Sequence, residues 1–350
     1  MQLGTRKSIF KVIIALVAIA LVAAACGGDD ESDATETTAG SAAETTAAAT
    51  QELTPVSVRL NVNATGTHAP FVLARDKGWY AEEGLEVTFG EGGGSDVAVA
   101  TIDAGDDDIG IASFDAVAVL RPEGANVKVV GAWESRSPLA IITLAGSPID
   151  EPADLEGAQV TMDQGDFPMF EAFAARAGFD ADAVDLVIMS EEAQAPALAE
   201  GQLDGIMGWT TYHAPQLVEI TGDVGAVLWS DYNFDLMNLT IIASDDRIEN
   251  DQETVCAFVR ASYRGLEYSI DNADEAIDAL MGEFANLDYD IMLGQLENMF
   301  ELIGTPNTEG MPMGWVAEAD VASAVEVLGE AGDELDVNPA DLFDNVCFDG

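Results

Sequence analysis

Short runs rich in β-branched and aliphatic residues recur along the chain at 56–62, 85–89, 108–112, 127–133, 139–144, 159–162, 186–189, 206–208, 227–229 and 239–243. Between them lie segments whose apolar residues return every three or four positions, most clearly at 68–75, 95–104, 167–177 and 192–200. Alternation between strand-like runs and a period near 3.6 predicts α/β layers with mostly parallel sheets. After Asp245 the strand-like runs cease. Tyr289, Met292, Leu293, Leu296, Met299, Phe300 and Ile303 then share one helical face, and Val321, Val325 and Leu328 share another. A helical C-terminal region follows from that spacing, and both stripes are assigned to core packing.

The first 25 residues break this pattern. Arg6, Lys7 and Lys11 precede an uncharged apolar run from 12 to 25 that ends in small residues. At about 14 residues the run is shorter than the roughly 20 needed to span a bilayer, so it reads as a signal peptide at 1–25. The residues before Cys26 are Leu21-Val22-Ala23-Ala24-Ala25, and Gly27-Gly28 follow. This resembles the lipobox of bacterial lipoproteins, with Ala23 where Leu is more usual, and it implies cleavage before Cys26 and a lipid on its thiol. Plain secretion with an incidental cysteine is the alternative. From 26 to 53 the chain is Thr-, Ala-, Glu- and Ser-rich with almost nothing to bury, which predicts a disordered tether ahead of the folded region.

Charge narrows the partners. Sixty-four acidic residues against 13 basic ones give a formal net charge of −51, which disfavours nucleic acid and anionic membrane surfaces. A solvating surface for a saline habitat accounts for such acidity without any special function. Besides Cys26 there are Cys256 and Cys347, in a compartment where disulfides persist. Cys256 also fits an apolar helical stripe with Val259, Tyr263 and Leu266, so a buried thiol and a Cys256–Cys347 bridge both remain open.

Motifs for catalysis are missing. The two histidines, His68 and His213, show no metal-ligand spacing, and no GxSxG, P-loop, GxGxxG or CxxC occurs. Asp106-Asp107-Asp108 lacks the spacing of a calcium loop and reads as a solvated turn. No metal or cofactor is therefore expected. What the chain offers instead is a series of strand-to-helix junctions rich in small and polar residues, of the kind that line clefts in α/β proteins. They run Asn61 to His68 (containing Asn63), Gly92-Gly93-Gly94-Ser95-Asp96, Ala112-Ser113-Phe114-Asp115, Ser135-Arg136-Ser137-Pro138, Asp163-Gln164-Gly165-Asp166-Phe167 and Gly208-Trp209-Thr210-Thr211-Tyr212-His213. The glycine-rich junction offers several amides as a seat for a negative or polar group.

In order and content these pieces resemble the substrate-binding proteins of ABC importers for thiamine-pyrimidine precursors, alkanesulfonates, taurine and nitrate. The stretches that carry the resemblance are HAPFVLARDKGWYAEEGLEVTF, DDIGIASFDAVAV, SPLAIITLAGSPIDEPADLEGAQV and GQLDGIMGWTTYHAPQL. They include the KGxYxxxGL turn, here Lys77-Gly78-Trp79-Tyr80 through Gly84-Leu85. The resemblance implies a two-lobed periplasmic-binding-protein (type II) fold joined by two crossing strands, with 54–139 and 242–350 as lobe 1 and 140–241 as lobe 2. It implies a lipid-anchored, extracytoplasmic receptor that closes on a small-molecule solute and is read by an ABC transporter permease. The ligand-binding set expected is Asn63, His68, Ser95, Asp96, Ser113, Asp115, Ser137, Gln164, Asp166, Trp209, Tyr212 and His213.

The pyrimidine-precursor branch is nearest, through His68-Ala69-Pro70-Phe71 and through Ser230-Asp231-Tyr232 with Asp235-Leu236. Two positions depart from it. Asn61-Val62 stands where that branch commonly has Asn-Trp, and Tyr212-His213 where it has Asn-Glu before a proline, so a carboxylate for an aminopyrimidine is missing there. A pyrimidine synthase shares the fold and uses a lysine-bound pyridoxal phosphate and a sacrificed histidine. Aligned through Gly110, those positions are Ala112 and Ala116, which argues against an enzyme. A surface scaffold lipoprotein is the third class considered, and it leaves the polar junctions unexplained.

Overall fold

Residues 52–162, 166–332 and 335–348 are described by the computed structural model. The leader, Cys26, all but the end of the tether, and Gln164 lie outside the described residues. In chain order the elements are β1 (Thr54–Arg59), α1 (Ala69–Asp76), α2 (Trp79–Glu82), β2 (Leu85–Gly90), α3 (Ser95–Ala104), β3 (Ile109–Ser113), α4 (Phe114–Glu123), β4 (Val127–Ala132) and β5 (Leu139–Leu144). There follow β6 (Gln159–Thr161), α5 (Phe167–Ala177), β7 (Asp185–Val187), α6 (Glu191–Ala199), β8 (Gly205–Trp209), α7 (His213–Thr221), β9 (Val224–Leu228) and β10 (Leu239–Ser244). The C-terminal third is helical: α8 (Asp245–Asn250), α9 (Gln252–Asp271), α10 (Ala273–Glu283), α11 (Tyr289–Phe300) and α12 (Glu318–Glu330). Among the described residues no helix is long and apolar enough to cross a membrane.

The strands form two five-stranded sheets, ordered β2-β1-β3-β10-β4 and β7-β6-β8-β5-β9. Each sheet has a parallel trio, β2-β1-β3 and β7-β6-β8. Each trio is flanked by one antiparallel strand, β10 or β5. The mostly parallel sheets expected from the alternating pattern are therefore mixed. The reason is topological: the antiparallel strand in each sheet is the one that arrives from the other sheet, so it enters in the reverse sense. The chain crosses twice, at 133–138 and at 229–238. Strand β10 pairs with β3 and β4 from Leu239 onward, three residues ahead of the 242 boundary read from the sequence.

Each crossing begins with a fully buried tryptophan stacked on a phenylalanine of a flanking helix. Trp133 lies 3.9 Å from Phe71 of α1. Trp229 lies 4.4 Å from Phe173 of α5, the two rings nearly coplanar in orientation. Aromatic anchoring of this kind buries large area where the two sheets hand the chain over, so the crossings start from fixed points.

Strand β1 stops at Arg59 rather than Val62 because the chain turns after Leu60, whose N–H still donates to the Gly90 carbonyl. That turn frees the following residues to face the space between the sheets. The turn at Asp106–Asp108 is ion-paired rather than merely solvated: Asp107 holds Arg59 at 2.8 Å, and Asp108 accepts from the Ser57 N–H at 2.8 Å and pairs with Arg247. Cys256 of α9 is joined to Cys347 by a disulfide. The bond holds a C-terminal segment in which Leu342 and Asp344 hydrogen-bond to Val129 on β4.

Candidate functional site

Between the loops of the two sheets lies a cavity of about 760 Å³, within the size range of small-molecule sites. The sequence-derived residues Asn63, His68, Ser95, Ser113, Asp115, Ser137, Asp166, Trp209 and Tyr212 all line it. They come from six separate junctions and converge because the ends of strands β1, β2, β3, β5, β6 and β8 open onto the same space. Asp96 does not join them: it is exposed, one residue beyond the Ser95 that does. His213 sits behind the wall rather than in it.

His68 is fully buried, and its ring is saturated. The Thr65 N–H donates to Nδ1 at 3.0 Å, so Nδ1 is the acceptor, Nε2 carries the proton, and Nε2 donates to Asn61 Oδ1 at 3.0 Å. Burial pushes its pKa down to about 4. The imidazole is therefore neutral and structural. It shapes the 61–68 loop, with both ring nitrogens engaged there, from a position in the cavity lining.

The glycine-rich junction is also spent differently from expectation. The Gly94 N–H donates to the Asn61 carbonyl at 2.7 Å and that of Gly92 to the Val62 carbonyl at 3.2 Å. A Cβ on Gly92 would sit 1.8 Å from the Leu60 carbonyl oxygen, so only glycine permits this close approach. These amides clamp one loop to another and do not form an anion seat. Ser95 instead accepts from the Ser113 N–H at 3.0 Å, which couples α3 to the start of α4.

Trp209 and Tyr212 are each 40% exposed, unusual for such large side chains, and both face the cavity. His213 supports them from behind. Its Nδ1 accepts from the Trp209 N–H at 3.0 Å, its ring stacks on the indole at 5.4 Å, and Tyr212 meets it edge-on at 5.0 Å. The wall is thus a ready-made aromatic platform.

Two parts of the site escaped the sequence reading. The first is Glu134, on the first crossing, fully buried among the cavity-lining residues. Its Oε2 accepts from the side chain of Asn238 on the second crossing, and its Oε1 has no partner. Burial raises its pKa to about 7, against the lowering effect of the Asn238 hydrogen bond. No motif surrounds it, and only the meeting of the two crossings makes it a site residue.

The second is α11 with the loop before it. Asn286, Asp288, Ile291, Met292 and Gln295 all line the cavity, so the stripe assigned to packing is shared with the site. Met299 and Leu296 are core as expected. Gln295 accepts from the Gly66 N–H at 2.8 Å, and Asn298 donates to the Thr210 carbonyl at 2.7 Å, so the helix touches loops from both sheets.

Among the described residues the lining contains four carboxyl side chains, Asp115, Glu134, Asp166 and Asp288, and no lysine or arginine. A family model described as NMT1/THI5 like matches residues 65–276, more than half of the chain and nearly all of the cavity-forming junctions. The chain belongs to the NMT1/THI5-like family.

Within the reach of that family are curated relatives of the chain. A riboflavin-binding protein, RibY, from Chloroflexus aurantiacus is 30% identical over 60% of this chain and 61% of its own length, so this chain spans well under two thirds of that relative. A formylaminopyrimidine-binding protein from Halalkalibacterium halodurans is 27% identical over 78% of each chain. Among solved structures, a putative periplasmic sulfonate-binding protein, SsuA, from Methylobacillus flagellatus matches with a TM-score of 0.62 at 15% identity, covering 85% of this chain and 93% of that one. The NMT1/THI5-like chain thus has the periplasmic-binding-protein fold.

The NMT1/THI5-like site depends on one close approach. A Cβ on Gly66 would lie 1.9 Å from the Met292 carbonyl oxygen. Gly66→Ala is expected to push α11 off the 61–68 loop, costing about 2–3 kcal/mol and displacing the Met292 and Gln295 side of the cavity. Urea melts and hydrogen exchange in 61–68 of the variant check this, and unchanged values for both would refute it.

Proposed function

We propose that this protein is the solute receptor of an ABC importer, tethered outside the membrane by a lipid on Cys26. Its ligand is a small, flat heteroaromatic that carries N–H donors and no negative charge, in the manner of a thiamine pyrimidine precursor. The observation that carries this reading is the lining: four carboxyl side chains and no basic one among the described residues. Such a cavity repels sulfonate and nitrate, whose charge would have no counter-ion there, and it accepts donors. The exposed faces of Trp209 and Tyr212 supply stacking for a planar ring. Relatives named for riboflavin and for a formylaminopyrimidine bind flat nitrogen heterocycles, which agrees with the same ligand class.

The lobes part at the two crossings, and a solute touching both stabilises the closed arrangement that a permease reads. A synthase role lacks its chemistry, since Ala112 and Ala116 offer neither an amine nor an imidazole. Thermal melts of the mature protein with aminopyrimidines, flavins, alkanesulfonates and nitrate test the reading. Stabilisation by the heterocycles alone is expected, and stabilisation by a sulfonate or nitrate would overturn it. Trp209→Ala is expected to reduce heterocycle affinity about tenfold or more while leaving the melting temperature of the empty protein nearly unchanged. Equal affinity would remove the stacking wall from the account.

A further inference from the structure

We infer that Glu134 is the residue that selects the ligand, accepting a hydrogen bond on Oε1 from an amino or amidine N–H at the base of the cavity. This deepens the receptor reading above and rests on it. Among the described residues lining the cavity, Oε1 of Glu134 is the one fully buried side-chain oxygen without a partner. Buried polar atoms in proteins are nearly always paired, so a solitary one facing a ligand-sized space is a place where a ligand atom belongs. Its companion Oε2 is held by the Asn238 amide. That contact fixes the carboxyl plane and leaves a single open acceptor.

The location adds a mechanical consequence. Glu134 and Asn238 stand on different crossings and are also linked through the backbone, the Asn238 N–H donating to the Glu134 carbonyl at 3.0 Å. A solute bonded to Oε1 is therefore fastened to the region about which the lobes turn. The carboxylate absent at Tyr212-His213 is in this way supplied from the first crossing.

A donor on the ligand bonds much more strongly to the ionised carboxylate than to the neutral acid, whereas burial favours the protonated form near neutral pH. Binding should then expel a proton from Glu134. The other titratable groups lining the cavity are His68, Asp115, Asp166, Tyr212 and Asp288, none of which is changed by substitution at 134.

Calorimetric titration of the full mature protein with 4-amino-2-methylpyrimidine, in two buffers of different ionisation heat at pH 6, is the test. Its 4-dimethylamino analogue, which lacks the N–H, serves as the matched probe. Wild type is expected to release close to one proton per 4-amino-2-methylpyrimidine bound and to bind the dimethylamino compound at least tenfold more weakly. Glu134→Gln must use its only oxygen for Asn238, which turns its NH2 toward the ligand. It should lose tenfold to a hundredfold in affinity and release no proton. A cooperative melt of the empty variant at or above the wild-type temperature shows that the fold is intact.

Binding of the aminopyrimidine with the same affinity and proton count in Glu134→Gln, or proton uptake by the wild type, would overturn the role of Glu134 and leave the receptor reading standing. If the wild type binds neither pyrimidine, both readings fall.

Discussion

Converting Cys256 and Cys347 together to alanine is expected to lower stability by about 4–5 kcal/mol, with a drop in melting temperature of roughly 10 °C. The disulfide joins residues 91 positions apart, and closing a loop of that length removes a large share of the unfolded chain's entropy. The bond also has a local task. The segment around Cys347 supplies hydrogen bonds to Val129, an edge strand residue of the first sheet, and the Phe348 ring packs near Tyr263 at 5.8 Å. Tyr263 in turn donates to the Ala132 carbonyl at 2.7 Å, immediately before the first crossing. Loss of the bridge should therefore loosen the C-terminal segment first. Hydrogen exchange in 342–348 that rises ahead of global unfolding, together with the shifted melt, would bear this out; an unshifted melt would refute it.

The second large effect is a pair of opposed pH dependences. His68 has a folded pKa near 4 against an ordinary value of 6.5. Protons bind the unfolded chain first, so its contribution to stability is whole above pH 6.5 and is lost as the pH falls toward 4. Glu134 runs the other way, with a folded pKa near 7 against an ordinary 4.5. The fold favours its protonated form, so its contribution is whole below pH 4.5 and is lost as the pH rises toward 7. Each swing amounts to about 3 kcal/mol. Between pH 4.5 and 6.5 the two offset each other in the wild type, and single variants should separate them.

Glu134→Gln is expected to gain about 3 kcal/mol relative to wild type between pH 4.5 and pH 8. His68→Gln, which cannot take up a proton, should gain on the wild type by a similar amount between pH 7.5 and pH 4, from a lower starting stability because it loses a ring that bonds both Thr65 and Asn61. Urea melts across pH for the three proteins give the differences directly. Curves that stay parallel would show that these two groups are not the source.

Glu134 would then be a residue that weakens the empty protein at neutral pH. Its ionised form is costly while Oε1 has no partner and becomes favourable once a donor is supplied. Stability given up at a binding site in this way is a common accompaniment of function.

Much of the site was legible from local chemistry. Asn63, Ser95, Ser113, Asp115, Ser137 and Tyr212 occupy strand ends where small polar residues interrupt apolar runs, and all of them reach the cavity. The same reasoning went too far at Asp96, whose neighbour Ser95 turns inward while it turns out. At His68 it found a lining residue but not that both ring nitrogens are engaged in holding a loop. The glycine junction looked like an anion seat because amides open a helix there. Only the approach of the 60–62 backbone shows that two of those amides are already taken.

What the sequence determined by itself is the local and periodic part. The ten strand runs all became strands, with shifts of a few residues at their ends, and the helical tail began where the strand-like runs stopped. Residue periodicity encodes which face of an element is buried, and that information is local. Tertiary structure alone decided the mixed sense of the sheets, the pairing of Cys256 with Cys347 and the entry of α11 into the site. It also decided the meeting of Glu134 with Asn238, 104 residues apart in the chain. Each of these depends on the fold bringing segments distant in the chain together, and the cost of burying an unpaired carboxyl exists only after it has done so.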